Sequence, residues 1–234
     1  MLFRSVPIFQ AFEKARYLGR IDLRILPGEK QAELISHSYI PVTAETKPDP
    51  EISEIIESYH ERLDEKFKEI IGRAETFLDG EREHIRHQET ALGNFVADIM
   101  RTHTGAQIAL INSGGIRSSI QKGPVTVEDV FKAMPYANEI AVVELTGAEL
   151  ERVLKRSVRG IREEEDGGFL QVSGIRFTIR DRKPQNVQVG QAREPLNLER
   201  KYSVAITDFI ATGGDGYDLR SEERRVGKEC ATGC

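Results

Sequence analysis

The chain has 234 residues, of which 39% are hydrophobic and 30% are charged, and its formal net charge is −5 at pH 7. A chain of this length can bury a core without disulfide bonds or structural metal ions. It has only two cysteines, which is too few for a disulfide framework. The net negative charge argues against a general affinity for nucleic acid polymers. No apolar stretch approaches the ~20 residues that span a bilayer.

Residues 6–48 contain two short extended segments. From Leu18 to Ile25 apolar and polar residues alternate, which is typical of a half-buried strand, and Pro27 and Gly28 predict a turn. A second extended piece covers residues 38–42. So few elements cannot enclose an independent core, and we expect this segment to be marginal on its own.

Residues 49–72 form the clearest predicted helix. Asp49 is a good N-cap, Pro50 fits the first helical position and Gly72 is a natural stop. One helical stripe collects the apolar residues Ile52, Ile55, Ile56, Tyr59, Leu63, Phe67, Ile70 and Ile71. The helix is interpreted as a linker between two β-containing regions or as a packed core helix, and the pattern favours neither.

Residues 73–219 alternate between strands and helices, which predicts a mixed α/β domain with its own core. Helices are predicted over residues 89–102, from the Thr126 cap to Ala133, and from the Thr146 cap to about Val158. Strands are predicted over residues 108–111 and 140–145, and strand signals dominate residues 169–206.

Residues 220–234 are mostly charged and differ abruptly from the preceding domain. They look like the translation of a sequencing-library adapter, and residues 2–5 look like its complementary strand. We interpret residues 220–234 as an artefactual tail and assign it no function.

Two glycine-containing loops carry candidate binding residues. Residues 112–117 (NSGGIR) follow a predicted buried strand, so their backbone N–H groups can approach a ligand beside the Arg117 donor fork. Residues 208–217 (DFIATGGDGY) offer Phe209 as a stacking face and Asp215 as an acceptor for sugar hydroxyls. The alternatives are a turn with a surface arginine and a turn with core aromatics. For Tyr217 the core interpretation is preferred.

Arg82 and Arg86 lie four residues apart, so on a helix they share one face. Together with Arg117 they make a candidate anion clamp. The alternative is an exposed ion-pair surface with neighbouring glutamates. His84 and His87 have no third ligand at a recognised spacing, so no metal site is predicted here.

Four motifs in this order resemble the C-terminal domain of the 5'-nucleotidase family, from about residue 71 to 219: residues 92–98 (LGNFVAD), 112–117, 168–174 (GFLQVSG) and 208–217. The resemblance implies a layered mixed α+β domain over residues 73–219, with sheets covered by helices. Residues 6–48 resemble the last strands of that family's metallophosphoesterase domain, and residues 49–72 resemble its inter-domain linker helix.

The resemblance also implies a nucleotide site with three kinds of contact. These are the base contacts Tyr136, Phe209, Asn112 and Gly115, the ribose contact Asp215, and the phosphate contacts Arg82, Arg86 and Arg117. Two aromatic faces that sandwich a base imply tolerance of several bases. Ser113 stands where the family commonly has glycine. A side chain at this position limits how closely the loop backbone can approach a ligand.

The implied full-length protein is a two-domain hydrolase of nucleoside phosphates, with two divalent metal ions in its N-terminal domain. This chain lacks those metal-ligand motifs, so we expect it to bind nucleotides or nucleosides weakly, to hold no metal and to hydrolyse nothing. Family members are mostly exported, which implies a periplasmic, cell-surface or extracellular location. The alternatives are a hydrolase of 2',3'-cyclic nucleotides or nucleotide sugars, a non-catalytic ligand-binding module, and a scaffold without a ligand.

Overall fold

The computed structural model describes residues 8–12, 15–25, 28, 32–160, 166–219 and 225–228, with the backbone alone described at 61, 62, 64, 65 and 225–228. The chain divides into two compact units, Met1–Leu63 and Asp64–Cys234. The division falls inside the first helix.

The first unit contains a two-stranded antiparallel sheet. Strand β1 (Tyr17–Ile25) pairs with β2 (Ala32–Pro41), with a bulge at Asp22 and Leu23. Both predicted extended segments lie in strands, but β2 begins six residues before the predicted piece, and the predicted half-buried character of β1 is wrong. Most of their side chains are exposed, including Leu23 at 54% and Ile40 at 46%. Two strands enclose too little apolar surface for an independent core.

Helix α1 (Pro50–Phe67) begins where the sequence predicts and ends earlier. The Asp49 carboxylate accepts hydrogen bonds from the backbone N–H groups of Glu51 and Ile52, at 3.0 and 3.2 Å, which confirms the predicted N-cap. The predicted helical range of 49–72 is wrong at its end, because residues 70–72 belong to a strand.

That strand is β3 (Ile70–Ala74), which pairs antiparallel with β5 (Gly123–Thr126). The pairing shifts register between Ile70 and Gly72, as at a β-bulge. The β-branched residues Ile70 and Ile71 favour a strand. Strand β5, which is distant in sequence, supplies the hydrogen-bond partners, and a local helical pattern cannot predict them. The predicted helix is therefore about one turn too long.

The second unit holds a five-stranded sheet, a three-stranded sheet and short helices. In chain order its remaining elements are α2 (Arg82–Ile85), α3 (Ala91–Thr104), β4 (Ile108–Asn112), α4 (Val127–Ala133), β6 (Ile140–Thr146), α5 (Gly147–Arg159), β7 (Leu170–Ser173), β8 (Ile175–Arg180), β9 (Lys183–Val189), β10 (Glu194–Pro195), β11 (Lys201–Thr207), α6 (Asp208–Ala211) and β12 (Arg225–Lys228). The larger sheet has the order β12-β6-β11-β4-β7, and the smaller has the order β10-β9-β8.

Two cores lie on opposite faces of the larger sheet. Along β4, Ile108 and Leu110 join one buried cluster with Leu150 and Leu154 of α5. The alternate residues of β4 join a second cluster, which includes Ala97 and Met100 of α3. Because side chains alternate along a strand, the wholly buried run at 108–112 indicates helices on both faces. The predicted mixed fold with helix-covered sheets is confirmed.

Threonine caps begin four helices of this unit, of which α6 starts at Thr207. Thr90 caps α3 by accepting from the N–H of Gly93 at 3.1 Å, so this helix starts two residues later than the predicted range. Thr126 and Thr146 form capping boxes with Asp129 and Glu149, which confirms the two predicted starts. Of the predicted tail, residues 220–224 and 229–234 lie outside the described part of the chain, and β12 pairs antiparallel with β6.

Candidate functional site

A cavity of about 360 Å³ opens at one edge of the larger sheet. Seven of the eight residues predicted for the site line it: Arg86, Asn112, Gly115, Arg117, Tyr136, Phe209 and Asp215. Arg82 is not among the lining residues and lies exposed at the first position of α2. The sequence interpretation missed three further lining residues, Gly114, Asn138 and Gly167. Each lies within two residues of a predicted site residue or at the edge of a quoted motif.

Parallel strand pairing brings the two glycine-containing loops together. Strand β11 pairs in parallel with β4, with Val204 opposite Ile108. The carboxyl ends of parallel neighbours lie at the same sheet edge, so the loops that follow them meet there. Asn112 ends β4, and Phe209 lies in α6 directly after β11. The topology therefore places these two side chains at one crevice although they are far apart in sequence.

Asn112 and Asp215 form the polar floor of the cavity. The Asn112 amide donates from Nδ2 to Oδ2 of Asp215 at 2.8 Å, and Asn112 is only 4% exposed. The other amide atom, Oδ1 of Asn112, is buried and has no hydrogen-bond partner among the residues that the structure describes. Buried acceptors are normally paired. Asn112 lines the cavity, so this buried and unpaired oxygen is a candidate acceptor for a ligand donor.

Asp215 adopts a left-handed backbone conformation, with φ of 51° and ψ of 22°. This conformation is uncommon for a residue with a side chain, and such strain persists where the surroundings enforce it. Here the guanidinium of Arg156 donates from Nε to the carbonyl oxygen of Asp215 at 2.7 Å. Arg156 therefore holds the loop that presents the Asp215 carboxylate.

Asp166 anchors Arg156 and one wall of the cavity. Arg156 donates to both carboxylate oxygens of Asp166, at 3.0 and 3.2 Å, and the N–H of Gly168 donates to Oδ1 at 2.9 Å. Burial alone would raise the pKa of Asp166, but these hydrogen bonds and the Arg156 charge hold that pKa below its ordinary value of 3.8. The ion pair thus links the Asp215 loop to the wall that contains Gly167.

Two glycines meet closely where that wall contacts the 112–117 loop. The N–H of Gly114 donates to the carbonyl of Gly167 at 2.8 Å, and a Cβ on Gly114 would lie 3.2 Å from the Gly167 backbone. Ser113 is fully buried, and its hydroxyl donates to the same carbonyl at 3.1 Å. Ser113 therefore holds the loop from the side opposite the cavity and does not line the cavity.

The two candidate stacking residues line the same cavity. Tyr136 is 53% exposed and Phe209 is 41% exposed. Phe209 packs closely on Gly214, where an added Cβ would lie 2.5 Å from the ring. Tyr217, from the same loop as Phe209, is 1% exposed, and its hydroxyl donates to the carbonyl of Gly168. Burial raises the pKa of Tyr217, and the preferred core interpretation of this residue is confirmed.

The two lining arginines differ in burial. Arg86 is only 7% exposed, whereas Arg117 is exposed and its Nη1 lies 3.5 Å from the carbonyl of Gly114. Among the described residues no group of three or more His, Cys, Asp or Glu side chains could hold a metal ion. His84 instead contacts the Asp79 carboxylate through Nδ1 at 2.7 Å. The residues that the structure describes therefore do not fit a metal centre.

Comparison with known proteins decides the family. The family model described as 5'-nucleotidase, C-terminal domain matches residues 70–222, a range that includes every residue lining the cavity. The chain belongs to this family. The matched range therefore supplies both cores, the cavity described above and every strand of the larger sheet except β12.

Longer relatives cover most of this chain. It is 34% identical over 228 residues to the trifunctional nucleotide phosphoesterase protein YfkN of Bacillus subtilis (strain 168), covering 92% of this chain and 16% of the relative. It is 32% identical over 227 residues to the 5'-nucleotidase of Vibrio cholerae serotype O1, covering 90% of this chain and 40% of the relative. The chain thus spans less than half the length of these relatives.

A solved structure supports the same assignment. The 5'-nucleotidase precursor from Thermus thermophilus superposes with a TM-score of 0.68 at 32% identity, covering 93% of this chain and 45% of that one. No helix within the described residues is long and apolar enough to cross a membrane.

Proposed function

We propose that this chain is the nucleotide-binding part of a metal-dependent 5'-nucleotidase, which hydrolyses nucleoside phosphates to nucleoside and phosphate. The observation that carries the proposal is the cavity that combines Tyr136, Phe209, Asn112, Asp215 and Arg86. Aromatic faces, a buried orphaned amide oxygen, a carboxylate and permanently charged guanidinium groups match the base, sugar and phosphate of one nucleotide.

The base lies between Tyr136 and Phe209 in this proposal. Both rings are about half exposed at the cavity, so each can cover part of a planar ligand. Stacking is worth about 1–3 kcal/mol per base and tolerates every base, because each base has a π-face. Gly115 has no side chain, so the loop backbone can approach the base closely.

The polar floor orients the nucleoside. Asn112 keeps Nδ2 on Asp215, so its buried and orphaned Oδ1 is the acceptor left for a donor such as an amino or hydroxyl group. Asp215 uses Oδ2 for Asn112 and offers its other oxygen, Oδ1, to the ribose hydroxyls. This pairing favours ligands that carry both hydroxyl and amino donors.

Arg86 and Arg117 hold the phosphate end. Guanidinium groups stay charged at any working pH and bind phosphate with forked geometry. We include Arg82 in this group because a bound phosphate extends beyond the cavity lining.

Hydrolysis belongs to the longer protein in this proposal. Residues 6–48 are the end of a metallophosphoesterase domain, residues 49–72 contain the linker, and residues 73–219 bind the substrate. Two divalent ions in the N-terminal domain supply the hydrolytic chemistry. We expect the longer protein in the periplasm, at the cell surface or outside the cell.

A second candidate is a broader nucleotide phosphoesterase that also accepts 2',3'-cyclic nucleotides or nucleotide sugars. The relative from Bacillus subtilis is named a trifunctional nucleotide phosphoesterase, which favours this alternative. The same cavity serves both candidates, since they differ in the ester and not in the nucleoside.

Calorimetric titration of adenosine and AMP into the purified chain tests the proposal. The wild type should bind both ligands, and a Tyr136→Ala/Phe209→Ala variant should bind neither measurably. Equal heats for the two proteins would contradict the aromatic sandwich. Release of phosphate from AMP by this chain alone, dependent on added metal, would contradict its expected inactivity.

A further inference from the structure

A buried glutamine connects the sheet to the segment that carries Arg86. Gln171 lies on β7 and is 1% exposed. Its Nε2 donates to the carbonyls of Ile85 and Gln88, at 2.9 and 2.7 Å, and its Oε1 accepts from the N–H of Thr90 at 3.1 Å. One side-chain amide thus uses both of its donor hydrogens and its acceptor on the short segment 85–90.

These bonds attach the segment to the sheet, beside the packing of the buried Ile85 in the core. Ile85 and Gln88 lie on either side of Arg86, so the two carbonyls that accept from Gln171 bracket the arginine. Thr90 is the N-cap of α3, so the third bond fastens the other end. A Cβ on Gly93 would lie 2.3 Å from Oε1 of Gln171, so only glycine at this position leaves room for the amide.

The pairing of β7 with β4 links Gln171 to the floor of the cavity. Gln171 lies opposite Ile111 of β4, one residue before Asn112. The guanidinium of Arg86 reaches the opposite wall, where its Nη2 is 3.9 Å from the Cβ position of Gly167. Gln171 therefore sets the distance between Arg86 and Asn112 without lining the cavity itself.

We propose that Gln171 is a positioning residue that places Arg86 for the phosphate of a bound nucleotide. The inference rests on the proposed function, because it needs a nucleotide in this cavity. A charged contact loses much of its strength when its partner shifts by a fraction of an ångström, so the backbone that carries Arg86 has to be held.

The discriminating experiment measures affinities for AMP and adenosine by calorimetry on the full 234-residue chain. The wild type should prefer AMP by about tenfold or more, the scale of a charge-assisted hydrogen bond. Gln171→Met keeps the length of the side chain and removes its three hydrogen bonds. It should lower AMP affinity about tenfold and leave adenosine affinity within about twofold, which also reports a folded cavity.

Coupling to Arg86 separates positioning from a general structural role. Arg86→Met should remove the AMP preference, and Arg86→Met/Gln171→Met should bind AMP no more weakly than Arg86→Met alone. The matched control is Ser173→Ala. Ser173 is buried two residues along the same strand and accepts from Arg101 of α3 at 2.7 Å, so its loss should leave the AMP preference intact.

Each alternative outcome has one meaning. A wild type that binds neither ligand contradicts the proposed function. A wild type that prefers AMP while Gln171→Met keeps that preference overturns the role of Gln171 only. Equal losses of AMP and adenosine in Gln171→Met, or strictly additive losses in the double variant, also overturn it. A wild type without any AMP preference overturns the assignment of Arg86 to phosphate and this inference with it.

Discussion

The two sides of the cavity are built differently. On the polar side, Asn112 and Arg86 are nearly buried, and Asp215 is held through Arg156 and Asp166. On the aromatic side, Tyr136 and Phe209 are about half exposed. Buried hydrogen-bonded groups are preorganised, whereas exposed rings retain rotamer freedom. In the proposed function, this difference lets the polar side set selectivity while the aromatic side accommodates different bases.

The largest expected effect concerns two aromatic residues of one loop, the buried Tyr217 and the more exposed Phe209. Tyr217→Ala should lower the free energy of unfolding by about 3–5 kcal/mol, because a fully buried aromatic leaves a cavity in the core. Urea unfolding followed by circular dichroism measures it. Phe209→Ala, the matched exposed aromatic, should cost nucleoside binding with a much smaller loss of stability. Similar destabilisation by both variants would contradict the distinction.

A smaller, pH-dependent effect belongs to the polar side. Asp166→Asn should lower the free energy of unfolding near neutral pH by about 1–2 kcal/mol, because it weakens the bonds to Arg156 and Gly168. The pKa of Asp166 is lower in the folded state, so its stabilisation is present above pH 3.8 and is lost as pH falls through the folded-state pKa. Urea unfolding across this range measures the difference between the two proteins. A difference that grows as the pH falls would contradict the ion pair.

The smallest expected effect concerns the aromatic side alone. Tyr136→Phe should change adenosine affinity by less than about 0.5 kcal/mol, because stacking uses the ring face and not the hydroxyl. Tyr136→Ala is the matched variant that removes the face. Calorimetry on both variants measures the contrast. A large loss in Tyr136→Phe would show that the hydroxyl binds the ligand.

Local signals in the sequence predict most of the elements correctly. Thr126 and Thr146 begin helices as expected, since a capping box needs only residues within one turn. The error at Ile70 and Ile71 has the opposite cause. Their strand partner lies more than 50 residues away in β5, and no local pattern announces it.

The family resemblance predicted the site residues, but it did not show which of them are buried or which contacts hold them in place. Arg86 looks like a surface arginine in a charged segment, yet it is nearly buried. Gln171 stands inside a quoted motif without any assigned role. The signal that could have found it is a polar residue within the otherwise apolar stretch 169–172, where an unpaired amide is costly to bury.

The sequence by itself determined the periodicity, the helix caps and the residue types of the proposed nucleotide site, because these depend on neighbours within a few residues. Only the tertiary structure decided that Asn112 meets Asp215, that Phe209 faces the same cavity as Tyr136, and that Gln171 holds the Arg86 segment. These contacts join residues brought together by the parallel pairing of β4 with β11 and by the packing of β7 against α3. Long-range pairing of this kind follows from burying two faces of one sheet at once, and that is a property of the whole chain.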